Sequence, residues 1–264
     1  MNNVMTIYSD TVYNNLRPLH ANWEPAQPIE LGDYGLLLGH AFQKLGNVSQ
    51  RGIKIGEIIK DDVGDQKIFA SGTNTNVSFH SAGTAPVGAV ADAKARVDIS
   101  FGSEGSVFFN AAECSYSMIA DKTALGEAVM QAFDANDDRK WQREWAVVTD
   151  LVRSKSTTVA IATGTNAKVS LEAAGNIQQI DLAKAEIGLS LGTCTNVGYQ
   201  VIAKAGLVPL IGLSQIQTKF WDWNPKFRPL ASAFLSNRTV IDRLLVSPSV
   251  QTEAVKDLFF GQVY

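Results

Sequence analysis

The stretch VADAKARVDISF (residues 90–101) decides the fold. From Ala91 onward every odd position is apolar: Ala91, Ala93, Ala95, Val97, Ile99 and Phe101. Every even position from 92 to 100 is polar: Asp92, Lys94, Arg96, Asp98 and Ser100. Strict alternation marks a strand with one wet and one dry face. Asp92–Arg96 and Lys94–Asp98 also suit a helix, as does the alanine content. The β-rich end at Val97, Ile99 and Phe101 and the turn GSEG (102–105) favour the strand. The run exceeds the roughly 5–6 residues of an ordinary strand. Its alanines bury little apolar area, so that face is only weakly hydrophobic. A strand of this kind is expected to be able to change solvent.

The expected partner is SVFFNAAECSYSM (106–118), whose even set Phe108, Ala112, Cys114, Tyr116 and Met118 is mostly apolar. The second half repeats the pattern. In TVAIATGTNAKVSLEA (158–173) the odd set runs Val159, Ile161, Thr163, Thr165, Ala167, Val169, Leu171, Ala173. The phase survives TGTN, which predicts one long bent strand. In IGLSLGTCTNVGYQVIA (187–203), Ile187, Leu189, Leu191, Val197, Tyr199 and Val201 share a face. GNIQQIDLAKAE (175–186) reads as a turn or short helix between them. Each segment reaches the roughly 9–11 residues with which a tilted strand crosses a bilayer. A barrel wall between water and lipid needs such two-faced strands. A twisted sheet with one wet face needs them too.

Residues 5–17 predict an amphipathic helix. Residues 121–136 predict another, with Leu125, Ala128, Val129, Ala132 and Phe133 on one face and Asp121 as N-cap. PIELGDYGLLLGHAF (28–42) reads as a strand-like run with bends or a bulge at Gly35 and Gly39. RGIKIGEII (51–59) reads as a strand and KDDVGDQK (60–67) as a charged turn. The expected class is α+β: a twisted, largely antiparallel sheet with long amphipathic hairpins and flanking helices.

The 264 residues, 45% hydrophobic and 19% charged, are those of a globular chain. A net charge of −3 gives no field to gather nucleic acid. MNNVMTIYSD has neither a basic nor an apolar signal region. No run approaches 18 apolar residues, so no transmembrane helix is expected, and the expected compartment is the cytosol. Cys114 and Cys194 read as free, small buried residues. GLSLG (188–192) matches a nucleophile-elbow pattern around Ser190, but the alternation runs straight through it. His20, His40 and His80 all lie upstream of Ser190 and read as isolated. Asp61, Asp62 and Asp65 lack the spacing of a calcium loop. No catalytic, cofactor or metal residue is assigned. KFWDWNPKF (219–227) reads as a core plug or an interfacial aromatic belt, and DDRKWQREW (137–145) as a solvated helix end or a headgroup contact.

The order of these pieces resembles the pore-forming domain of gasdermins, especially the small bacterial and fungal forms. An alternating pair around ARVDISFGSEGSVFFNA precedes a helix. REWAVVTDLVRSKSTTVAIAT then resembles the strand leading into a second hairpin. LSLGTCTNVGYQVIAKAGLVPLIGLSQIQ resembles its return. The resemblance spans roughly residues 28–220.

It implies a domain at 1–230 that forms membrane pores in cell death or defence, and a C-terminal helical tail at 231–264 that restrains it. Leu244, Leu245, Leu258, Phe259 and Phe260 would be the inhibitory contacts, and Arg238 and Arg243 the sites for an activating protease. Two hairpins, about 85–118 and 157–203, would enter lipid as a homo-oligomeric β-barrel. The inserting face would comprise Ala91, Ala93, Ala95, Val97, Ile99, Phe101, Val159, Ile161, Val169, Leu171, Leu189, Leu191, Val197 and Tyr199. The protein would be cytoplasmic while inactive and at the inner or plasma membrane once activated. Bacterial gasdermins commonly carry an acylated N-terminal cysteine, and none lies in the first hundred residues here. The alternative is a β-rich binding or structural module that self-assembles without entering membranes. A hydrolase using Ser190 is a weaker third reading.

Overall fold

The computed structural model describes residues 4–23, 27–72, 75–82, 94–134, 141–173, 175, 177–219 and 222–229. Its strands are mostly antiparallel and two helices pack on them, which makes an α+β fold. Helix α1 (Val4–Leu16) buries Tyr8, Val12 and Leu16, spaced four apart on one face. Helix α2 (Lys122–Asp134) starts where the Ala124 N–H donates to Asp121 Oδ1 at 2.8 Å. Its expected apolar face packs into the core through Leu125, Ala128, Val129, Ala132 and Phe133.

Between and after the helices run β1 (His20–Ala21), β2 (Asp33–Leu38), β3 (Ala41–Asn47), β4 (Ile58–Ala70), β5 (Asn76–His80), β6 (Arg96–Phe101) and β7 (Val107–Ile119). Then come β8 (Trp145–Ala162), β9 (Ala167–Ala173), β10 (Leu189–Thr195), β11 (Val197–Lys219) and β12 (Asp222–Pro229). Eight strands form a first sheet, with β11–β8–β7–β4 adjacent in that order. The other four form a second sheet, ordered β10–β9–β6–β5.

Several local expectations change. Residues 28–42 hold a hairpin, with Leu38 paired to Ala41 across Gly39–His40 and a register shift at Tyr34/Gly35. Residues 51–59 are mostly irregular, preceded by a 3-10 turn at Val48–Arg51, and strand begins only at Ile58. The charged run 60–67 is not a turn but part of β4, with register shifts on either side of Asp65. An edge strand has a solvated side, so it tolerates these charges.

The largest correction concerns 94–101, the described part of the opening stretch, and 106–118, which do not pair with each other. β6 pairs with β5 and β9, while β7 pairs with β4 and β8. GSEG is a corner between sheets. There the Gly105 N–H donates to the Ala162 carbonyl and the Ala162 N–H to the Ser106 carbonyl, both at 2.9 Å. These bonds tie the corner to the neighbouring path, so the chain passes on into the next sheet.

Four long paths therefore cross both sheets: β4–β5, β6–β7, β8–β9 and β10–β11. The first hairpin is β4–β5 out and β6–β7 back, so 96–119 pairs with strands from 58–80 instead of folding back on itself within the expected limits 85–118. The second, β8–β9 out and β10–β11 back, contains the expected 157–203 and extends beyond it. The two central paths keep one register through the corner, from Arg96↔Glu172 to Met118↔Asp150. Every path has a left-handed residue at the corner: Gly72 (φ 96°), Gly105 (φ 79°), Asn166 (φ 59°) and Asn196 (φ 54°). Glycine and asparagine are the residues that enter this region most readily. Together they form a crease across all four paths.

Candidate functional site

The second sheet carries the candidate site. Its inner face buries Ala95 just before β6, Val97, Ile99 and Phe101 from β6, Ala167, Val169, Leu171 and Ala173 from β9, and Leu189 from β10. Its outer face is polar, and Arg96 and His80 both pair with Asp98, at 3.2 and 2.9 Å. Lys94 lies 3.7 Å from Glu172 on the neighbouring strand. Alternation over β6 and β9 thus sorts side chains as the sequence requires.

The apolar face is covered by the chain itself. Segment 177–187 folds back over it and buries Ile180, Leu182 and Ile187 in the same cluster. Three such side chains contribute on the order of 5–9 kcal/mol of burial. Polar anchors hold the segment down. Buried Asn110 donates from Nδ2 to the Leu182 carbonyl at 3.1 Å and accepts from Gln66 Nε2 at 2.6 Å. Glu113 accepts the Ala185 N–H at 2.9 Å and pairs with Lys155 Nζ at 2.8 Å. The Lys155 bond, then the Ala185 N–H, hold the Glu113 carboxyl below its ordinary range. A cavity of about 690 Å³ remains between this segment and the first hairpin, lined in part by Ile68, Val77, Phe79, Phe108 and Leu182. The cover is therefore anchored at points rather than packed throughout.

The expected inserting residues divide into groups. Ala95, Val97, Ile99, Phe101, Val169, Leu171 and Leu189 come together in this cluster, with Val197 half-buried against it. Val159 and Ile161 do not join them and instead pack under α1 with Tyr8, Val12, Val107 and Phe109. In their place Ala160 and Ala162 face the second-sheet cluster. The phase therefore switches at the crease, because a left-handed residue breaks the two-residue repeat. Leu191 is 38% exposed, beside a register shift between Leu191 and Thr193. Ala91 and Ala93, the Tyr199 side chain, Arg238 and Arg243, and the tail residues Leu244, Leu245, Leu258, Phe259 and Phe260 lie outside the described residues.

Ser190 sits within strand β10 and donates to the Glu172 carbonyl at 3.3 Å, with no turn-to-helix geometry around it. Cys114 is buried and its thiol is pushed up to about 12 by burial, whereas Cys194 is exposed, against expectation. Among the described residues no cluster of histidine, cysteine or carboxylate side chains is arranged to hold a metal. No described helix is long and apolar enough to cross a membrane, a statement that does not reach strands.

Sequence reasoning missed one cluster. Tyr13 of α1 stacks on His40 at 4.1 Å between ring centroids and lies 4.7 Å from the His20 ring. His40 Nδ1 lies 2.7 Å from Asp10 Oδ1. His20 is buried, and neither of its ring nitrogens makes a hydrogen bond of good geometry with a described residue. Burial, then the charge of nearby His40, lowers its pKa to about 4. Nothing in the spacing of positions 10, 13, 20 and 40 announces the cluster.

In comparisons with known proteins, the sequence matches no family model and no curated protein.

Proposed function

We propose that the chain is a membrane pore former of the gasdermin type, folded as a covered monomer and assembling into a β-barrel. The observation that carries this reading is the pair of outer strands of the second sheet. β5 and β10 have no second strand partner among the described residues. They run in opposite directions, because the four paths alternate. Placing the β10 edge of one copy against the β5 edge of the next continues the antiparallel order. Repetition around a ring closes every edge, which is the condition for backbone to enter lipid. The two-faced second sheet supports the same reading, with charge outside and a detachable apolar face inside.

The tail beyond residue 230 is proposed as the restraint, with cleavage at Arg238 or Arg243 as the release. The test is dye release from vesicles of phosphatidylethanolamine and phosphatidylglycerol, comparing the full chain with one truncated near residue 238. Leakage from the truncated chain alone supports both pore and restraint. Leakage from both keeps the pore and discards the restraint. With both chains folded and neither leaking, the β-rich binding module replaces the pore, and the cavity beside segment 177–187 becomes its first candidate site.

A further inference from the structure

We propose that His20 and His40 form an acid-operated latch between α1 and the first sheet: in mildly acidic solution α1 leaves the sheet and bares the apolar face beneath it, while the strands stay folded. The latch does not depend on the pore reading. At its centre is a buried group without a partner. His20 is 2% exposed, and neither of its ring nitrogens makes a hydrogen bond of good geometry with a described residue. An imidazole in such a place is stable only while neutral, because a buried charge needs a partner. The groups around it do not supply one. The carboxylate at this junction, Asp10 of α1, is held by His40 Nδ1 at 2.7 Å. The His40 ring stands 6.1 Å from the His20 ring. Tyr13 of α1 lies 4.7 Å from His20, and the Arg17 guanidinium sits 5.1 Å over the Tyr13 ring, which adds positive charge. On the strand side, Ile211 and Leu210 of β11 lie opposite His20 and Ala21 and carry no charge. A proton on His20 therefore adds a cation where the one carboxylate is taken. Burial, then the charge of His40, lowers its pKa to about 4.

Position turns this cost into movement. Asp10 and Tyr13 belong to α1 itself, and Tyr13 stacks on His40 at 4.1 Å. Charging the junction thus acts on the contacts that hold the helix. α1 has no strand ladder, whereas β8 and β11 are paired on both sides. The helix therefore opens at a lower free energy than those strands. Its Tyr8, Val12 and Leu16 pack with Phe69, Val107, Phe109, Val159 and Ile161 of the first sheet, the face that opening bares. In the open form His20 regains the ordinary affinity for a proton. Acid consequently gives opening no help above pH 6.5 and increasing help as the pH falls towards 4.

The test is hydrogen exchange of the full chain, read by mass spectrometry at about pH 7.5 and about pH 5 and corrected for the intrinsic pH dependence of exchange. A released helix of 13 residues is marginal in water, so its amides exchange once it leaves the sheet. Protection of α1 should fall roughly thirtyfold at the lower pH, with β8 and β11 unchanged. His20→Phe keeps a buried ring without a titrating nitrogen and should hold α1 equally protected at both pH values. His20→Gln serves the same purpose if the phenylalanine variant does not fold. Equal protection of α1 at the two pH values in the unsubstituted chain overturns the latch. Loss that reaches β8 and β11 together with α1 is unfolding of the whole sheet and overturns it too. A loss in α1 that persists in the His20 variant belongs to another group and overturns the assignment to His20.

Discussion

Glu113 accepts the Ala185 N–H at 2.9 Å while its own backbone sits in the left-handed region at φ 48°. A non-glycine residue held there costs of order 1–3 kcal/mol, so its surroundings must impose the conformation. It lies where the β7–β8 ladder is interrupted between Ala112↔Ser156 and Ser115↔Arg153. The strained residue thus anchors the cover over the second sheet. Asparagine tolerates this backbone but is too short to reach Ala185. Glu113→Asn should leave the melting temperature nearly unchanged. It should speed tryptic cleavage after Lys184, the peptide whose N–H is released, roughly tenfold. Mass mapping of the first fragments checks this, and unchanged cleavage removes Glu113 from the anchor.

Acid should loosen α1. His20 has a pKa of about 4 in the fold against the ordinary 6.5, so the unfolded chain binds its proton more readily. The stabilisation is complete above pH 6.5 and is lost as the pH falls towards 4. The difference amounts to about 3 kcal/mol. His40, Asp10 and Tyr13 face the same pocket, so an unfolding series from pH 7 to 4 should be compared with His20→Phe. A flatter profile for the variant is expected, and parallel profiles would assign the loss elsewhere.

Two leucines on neighbouring strands should behave oppositely. Leu171 is 1% exposed in the second-sheet cluster, and Leu191, its partner on β10, is 38% exposed. Leu171→Ala should cost about 2–5 kcal/mol and Leu191→Ala within about 0.5 kcal/mol in denaturant unfolding. Similar losses would mean that Leu191 is covered in solution.

The crease also has a steric side. A Cβ on Gly72 would collide with Ser106 Oγ, at a φ of 96° that side chains rarely adopt. Gly72→Ala should destabilise by roughly 1–3 kcal/mol. Adding Ser106→Gly removes the clash but not the strain, so the double variant should recover part of the loss. Full recovery would show that φ carries no cost there.

The helices, the alternating segments and the second hairpin were legible from the sequence because periodicity is a property of the chain alone. The face of α2 needed only spacings of three and four, and the strand character of 96–101 and 167–173 only a spacing of two. Which strand lies beside which was not legible. GSEG reads as a turn between two strands that pair with each other, and what makes it a corner is the pair of bonds from Gly105 and Ser106 to Ala162, which lies far away in the chain. The charged edge of β4, the cover formed by 177–187 and the meeting of His20, Tyr13 and His40 likewise depend on distant neighbours. The alternation of the odd residues was determined by the sequence itself. Their division between two cores was decided only by the tertiary structure, because one left-handed residue at each corner reverses the face that follows it.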